Sequence, residues 1–440
     1  MKEIRKTKSV CPKCLAKIDA KQVEIGNRLY LIKKCKTHGI FKTLISKDSR
    51  NYKRINNFYL ALNNEDKFKD YPPTYYNLFV TSRNTFKSNY SSKNMGGEIK
   101  KDEIKRILRR FKGTKIAVWG GEATQREDLP EIIKIIEKSG NIPALYTDGV
   151  KISNYDYLKE LKKNGLKIVH MDFEGFDRII PKAENTKKII KAKIKALNNL
   201  KRLNISTGIQ STIVKGLNDD SMVQILNYAV KNNFIKTVFF KSHKVLCKSE
   251  VPIPKRLTTD DLLELIETQT NGKISKQDIY NFQMPLYLLN DFLNIKRCFY
   301  MRCIILLRKN GNYIPLTDIL DFNKIQKKLY SCLKIDNPLI RRITMSIKIL
   351  PDIFNYKAVQ IYRTLFSMFI GNKIINRRLD STKLDKSILY VSFGRECDRS
   401  NFDFASTQNC EIGEILRENE EIKPLAVSDL SREKILAQNF

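Results

Sequence analysis

Between residues 76 and 242 short β-branched or aromatic runs alternate with longer stretches whose apolar positions repeat at helical spacing. The pattern predicts strands at YNLFVT (76–81), KIAVW (115–119), PALYT (143–147), KIVHMD (167–172), ISTGIQST (205–212) and KTVFFK (236–241). Amphipathic helices are predicted between them, such as DEIKRILRRF, LPEIIKIIEKSG and NDDSMVQILNYAVKN, with acidic or Asn residues supplying N-cap character. Six successive βα units predict an α/β fold, a partial (βα)6 TIM-like barrel. In such a barrel chemistry sits where strands end and loops begin. The expected division is a metal-binding module over 1–50, a linker over 51–75, the barrel over 76–242 and an α+β C-terminal extension over 243–440.

In the N-terminal module, Cys11 and Cys14 precede the strand-like run NRLYLIKK, and Cys35 and His38 follow it in CKTHG. Two thiolates on one knuckle and a thiolate plus an imidazole on another can close a tetrahedral shell around Zn, or around Fe in rubredoxin style. A closed four-ligand set predicts one structural metal, because a catalytic zinc keeps a position open. The predicted strand ends carry TSRNTFKSNYSSKNMGGE, WGGEAT, TDG, DFEGFD and TIVKGLND. Glycines there let backbone amides approach a small ligand, and acidic groups can take its amine or hydroxyls.

Charge changes the picture in one respect. The 440 residues hold 81 Lys+Arg against 47 Asp+Glu, a net charge of +34, spread through segments such as KIIKAKIKALNNLKRL and IRRITMSIK. Two readings stay open: the Lys-, Asn- and Ile-rich bias of an AT-rich genome, or a footprint for phosphates of RNA or anionic lipid. The acidic run EIGEILRENEE could pair with the basic body or solvate the tail. No run reaches the roughly 18–20 apolar residues of a membrane span, and MKEIRKTKSVCPKC lacks a signal peptide's apolar core, so a cytoplasmic protein is expected.

With CPKC…CKTHG, YNLFVTSR, GGEIKKDEI, WGGEATQREDLPEII, LYTDGV, VHMDFEGFD, TIVKGLNDD, LIETQTNGKISKQDIY and RKNGNYIPLTDILD, the chain resembles radical S-adenosylmethionine (SAM) enzymes over nearly its full length. The branch it resembles is the archaeal one that includes tetraether lipid synthase and related methylases. The resemblance implies a barrel that binds SAM, with Gly120, Gly121 and Glu122 at its methionine amino group. Thr147, Asp148, Gly149, Asp172, Glu174 and Gly175 would lie nearby.

The chain departs from the family at the cluster motif. Framed by TSR before and GGE after, the three positions of the family's CxxxCxxC are Asn84, Ser88 and Ser91. An amide and two hydroxyls cannot replace three anionic thiolates, so a 4Fe-4S cluster and reductive SAM cleavage are not expected there. SAM binding, if retained, would be weakened. The resemblance places Cys298, Cys303 and Cys410 at auxiliary-cluster positions, with Cys397 close by, but Phe393 and Ala426 stand where further cysteines are expected. Buried packing thiols are the alternative, and Cys247 and Cys332 read as packing residues. His170 reads as a core or lumen residue, and His243 as facing the barrel mouth. Asp172, Glu174 and Asp177 read as ribose-binding or structural groups, and no other nucleophile or metal motif is present.

The expectation is therefore a degenerate radical SAM homologue acting as a binding or regulatory protein, partnered by an active relative, anionic lipid or RNA. The rival is an active SAM-dependent enzyme of lipid or cofactor modification that uses Cys298, Cys303, Cys397 and Cys410. A basic nucleic-acid- or lipid-binding protein on a borrowed scaffold is the third reading.

Overall fold

The computed structural model describes residues 1–62, 71–85, 98–178, 185–244, 256–292, 296, 298–353, 386–416 and 421–428. The chain opens with a four-stranded antiparallel meander of β1 (Lys2–Val10), β2 (Lys17–Ile25), β3 (Arg28–Cys35) and β4 (Gly39–Ser46). Helix α1 (Ser49–Leu62) follows, with Asp48 accepting a 3.0 Å hydrogen bond from the Asn51 amide at its start. It buries Ile55 and Phe58 completely, so much of the span expected as a linker is a core helix.

The barrel strands are β5 (Tyr75–Thr81), β6 (Lys115–Gly120), β7 (Ile142–Thr147), β8 (Ile168–Asp172), β9 (Ser206–Ile213) and β10 (Ile235–Ser242). Each overlaps its sequence expectation to within a residue or two. They pair in parallel in that order. Between them run α2 (Lys101–Leu108), α3 (Leu129–Lys138), α4 (Tyr155–Lys163), α5 (Thr186–Arg202) and α6 (Met222–Lys231). Parallel strands need such crossovers, which cover the sheet and explain its nearly unbroken apolar runs. In α3 the buried Ile132, Ile133 and Ile136 share one face, while Pro130 sits in the first turn where no amide partner is needed.

Beyond the barrel come α7 (Thr259–Gln269), α8 (Lys276–Phe292), β11 (Arg302–Lys309), β12 (Asn312–Pro315), α9 (Phe322–Ser331) and α10 (Pro338–Ile353). The C-terminal part supplies β13 (Ile388–Arg395), the short helix α11 (Phe404–Thr407), β14 (Ile412–Ile415) and β15 (Ile422–Pro424). These strands extend the barrel sheet at both edges, giving the order β12-β11-β13-β10-β9-β8-β7-β6-β5-β14-β15. β13 pairs in parallel with β10, and β14 in parallel with β5. Glu414, in the acidic run, thus lies fully buried on β14.

The segment after β13 also fastens the N-terminal module to the barrel. The Ser9 hydroxyl donates to the Phe402 carbonyl at 2.6 Å, Lys33 Nζ to the Arg399 carbonyl at 2.7 Å, and Arg399 Nη1 to the Pro12 carbonyl at 2.8 Å. Among the described residues no helix is long and apolar enough to cross a membrane.

Phe393 on β13 stacks on Phe240 of β10 with ring centroids 5.7 Å apart, both fully buried. Phe393→Ala should destabilise the protein by about 3–5 kcal/mol in urea unfolding. A loss near zero would mean that β13 is not integrated into the sheet.

Candidate functional site

The four metal-ligand candidates converge. The ligand atoms of Cys11, Cys14, Cys35 and His38 all lie within 4.8 Å of one another, the one such His/Cys/Asp/Glu group found among the described residues. Cys11 opens a tight turn closed by its amide donating to Ala16 O at 2.9 Å, with Leu15 at φ 59°. Cys35 and Gly39 face each other across the β3–β4 hairpin, so Cys35 and His38 share its turn. His38 Nδ1 is 3.6 Å from both the Cys11 and Cys35 sulfurs. Its hydrogen bond is the main influence that lowers the Cys35 thiol to about 6, favouring the thiolate a metal requires. Three soft thiolates and one imidazole in this arrangement fit a closed tetrahedral metal site.

At the C-terminal end of the sheet, Gly120 and Gly121 serve the chain's own packing. The loop leaving β5 crosses directly over them: the Gly121 amide donates to Thr81 O at 2.9 Å and the Glu122 amide to Arg83 O at 2.6 Å. A Cβ on Gly120 would fall 2.1 Å from Thr81 O, and one on Gly121 would meet Arg83 O at 2.3 Å and Asn84 Oδ1 at 2.6 Å. Asn84, the first of the three replaced positions, therefore packs against Gly121 as an amide, with its Nδ2 donating to Ser82 O at 3.3 Å. Ser88 and Ser91 lie outside the described residues.

Glu122 is buried, and its carboxylate is engaged within the chain. Oε1 accepts from the Thr124 amide (3.1 Å), the Thr124 hydroxyl (2.7 Å) and the Thr147 hydroxyl (2.8 Å), and Oε2 from the Asp148 amide (2.7 Å). These bonds fill most of its acceptor capacity of about four lone pairs. Burial and then the neighbouring Asp148 raise its pKa to about 7. Asp148 is raised as well, chiefly by burial, and Gly149 at φ 88° turns the chain beneath Met171.

Glu174 is sequestered similarly, by an ion pair of 2.8 Å with the equally buried Lys193 of α5. Burial lifts the Glu174 pKa and Lys193 opposes it. Lys193 Nζ also donates to Asp172 O at 2.9 Å. Nearby, Lys241 donates to Gln210 Oε1 at 3.1 Å and pairs with Glu396 at 3.5 Å. Lys193, Lys241 and Glu396 were not legible as site residues, because Lys193 sits in a lysine-rich helix and Glu396 lies far along the chain. Asp177 is a surface partner of Arg178, a structural role.

The remaining cysteines do not converge into a ligand group among the described residues. Cys303 is fully buried in β11 opposite Ser392. Cys298, Cys397 and Cys410 are half-buried, and Cys397 lies close enough to Cys298 and to Cys410 to interact electrostatically with each. Burial pushes the thiols of Cys397 and Cys410 up to about 12, which disfavours thiolates. Phe393 and Ala426 are core residues, Cys332 is buried, and Cys247 lies outside the described residues. His170 on β8 is half-buried: it stacks on Tyr146 at 4.7 Å, its Nε2 has no hydrogen-bond partner, and burial lowers its pKa to about 3. His243 is half-buried and depressed by burial.

Comparison with known proteins adds the following. Residues 3–47 match the family described as the HMPTM N-terminal zinc ribbon domain, and residues 82–229 match the radical SAM superfamily. The chain is 27% identical over 358 residues to 7,8-dihydro-6-hydroxymethylpterin dimethyltransferase of Methanocaldococcus jannaschii, covering 72% of this chain and 71% of that protein. It is 27% identical over 175 residues to GTP 3',8-cyclase of Aquifex aeolicus, covering 38% of this chain and 52% of the cyclase. Among solved structures, Streptococcus suis SuiB is similar at 13% identity with a TM-score of 0.38, over 57% of this chain and 67% of SuiB.

The Glu122 shift yields a pH signature. A carboxyl raised from 4.5 to about 7 in the folded state contributes stability that is present in acid and lost as pH rises through about 7. Between about pH 5 and 8 the wild type should therefore lose stability more steeply than Glu122→Gln, compared by urea midpoints. Parallel slopes would remove the buried carboxyl from the account.

Proposed function

The barrel of this chain belongs to the radical SAM superfamily, and we propose that it is a lapsed member, a binding or regulatory protein lacking the SAM-cleaving cluster. One observation carries this reading: the sequence has no cysteine between Cys35 and Cys247, so the whole matched span of 82–229 contains none. Iron–sulfur clusters require soft thiolates, and neither Asn84 nor any hydroxyl of the β5 exit loop provides one. The residues present do not fit that cluster. The internal satisfaction of Glu122 and Glu174 supports the same reading, since these groups are occupied by the protein itself.

SAM or a related nucleoside would be held weakly, through what remains of the Gly120–Glu122 turn with Asp148 and Asp172. The N-terminal quartet would hold one structural ion, zinc by its likeness to the zinc ribbon, with tetrahedral Fe as the alternative. The resemblance to the tetraether lipid synthase branch and the pterin dimethyltransferase relative point to a lipid chain or a pterin as the ancestral substrate class. For a chain of net charge +34, an anionic lipid surface, RNA or an active relative in the cytoplasm are the partners proposed.

A second reading is kept by one observation, the neighbouring Cys298, Cys397 and Cys410. In it the chain is an active SAM-dependent enzyme of lipid or cofactor modification whose remaining thiols, with Cys303, gather around another cluster.

Metal and acid-labile sulfide content after anaerobic purification and reconstitution separates the two. The lapsed reading expects about one metal per chain, no sulfide and no SAM cleavage. About four irons with matching sulfide, lost in Cys298→Ala or Cys303→Ala, would overturn it. Independently, Cys35→Ala should lower the metal content by about one ion per chain and lower the melting temperature, whichever reading holds; retention of that ion would refute the quartet.

A further inference from the structure

A small cavity, about 20 Å³, lies where the N-terminal module meets the barrel. Its wall includes Ser46 of β4, Asp260 of α7, Tyr280 of α8, Tyr300, Arg302 of β11 and Arg395 at the end of β13. Arg395 is only 7% exposed, yet Nε, Nη1 and Nη2 all lack a hydrogen-bond partner. Its guanidinium carbon sits 3.8 Å from the centroid of the Tyr300 ring, which supports one face of the group but satisfies none of its donors. Arg302, 4% exposed, spends Nη1 on the Phe299 and Met301 carbonyls and leaves Nε unpartnered.

The acids nearby act on these charges only at a distance, Asp403 on Arg395 and Asp260 on Arg302, and give Arg395 no hydrogen bond. Asp260 lines the cavity, but its Oδ2 accepts from the Ser46 hydroxyl and the Lys47 amide, each at 2.6 Å, and its Oδ1 from the Tyr280 hydroxyl. Asp403, further out, is taken by Arg5, Thr7 and Gln22. A guanidinium cannot shed its proton at any ordinary pH, so a buried one must be compensated or is costly. Two arginines against one engaged carboxylate leave the cavity wall net positive.

We infer that this cavity is an oxyanion site, in which Arg395, with Arg302 beside it, takes a carboxylate or phosphate group at the seam between the N-terminal module and the barrel. The planar fork of a guanidinium matches two oxygens of such a group, which a spherical ion cannot offer. Because the wall draws on β4, α7, α8 and β13 together, a bound oxyanion joins the module to the barrel. The inference does not rest on the loss of the barrel cluster.

The test uses the full-length, metal-loaded protein, titrated with inorganic phosphate in one arm and acetate in the other at constant ionic strength, with binding read by calorimetry and melting temperature. At least one probe should bind the wild type and raise its melting temperature. Binding of phosphate alone identifies a phosphoryl group, of acetate alone a carboxylate, and of both a general oxyanion site. Arg395→Met should weaken binding at least tenfold. Without anion it should melt at or above the wild type, since an uncompensated buried charge has been removed, and with anion below it. Arg395→Lys keeps the charge without the fork and should also bind at least tenfold more weakly, so it carries the test should Arg395→Met fail to fold. Failure of both probes to bind the wild type, or unchanged affinity in either variant, which would place the anion adventitiously on the basic surface, overturns the inference. So does an Arg395→Met variant equally destabilised with and without anion.

Discussion

A charge withdrawn from water into this sheet must be answered from within the protein, and that requirement organises the ends of the parallel strands. Glu122 gathers donors from Thr124, Thr147 and Asp148, tying β6 to β7 and to the turn between them. Glu174 is answered by Lys193 from α5, and Lys241 by Glu396 from the segment after β13. Breaking such a pair leaves an orphan charge, so each pair specifies geometry more than it adds stability. Among the described residues, Arg395 is a buried charge whose three nitrogens all lack a hydrogen-bond partner.

The two glycines of WGGE are fixed by packing within the chain itself. They are required because the β5 exit loop passes within reach of any Cβ placed there, and the loop is held by the Gly121 and Glu122 amides. That packing is indifferent to whether the loop carries thiolates. The described part of the loop, with Asn84 packed against Gly121, is therefore held by backbone contacts.

The N-terminal module and barrel share one apolar core, and the polar seam between them is tight. Lys33 is almost fully buried there, and burial pulls its pKa down to about 8 even though Ser9 and the Arg399 carbonyl hold it. The metal quartet is thus anchored to the barrel through the chain that follows β13, and the oxyanion cavity lies along the same seam.

The sequence by itself determined the periodic part of this protein: six parallel strands, the helices between them, the metal knuckles, and the absence of thiolates in 82–229. Those are local properties, written in side-chain spacing and residue chemistry over a few positions. It did not show α1, whose apolar positions were hidden in a polar-looking stretch, nor that residues 388–395 and 412–415 would complete the sheet at opposite edges. Pairing between strands so distant along the chain leaves no local periodicity to read. Tertiary structure alone decided that Lys193 and Glu396 would answer buried charges and that Arg395 would be left without a hydrogen-bond partner, because pairing depends on which groups the fold brings within hydrogen-bonding reach.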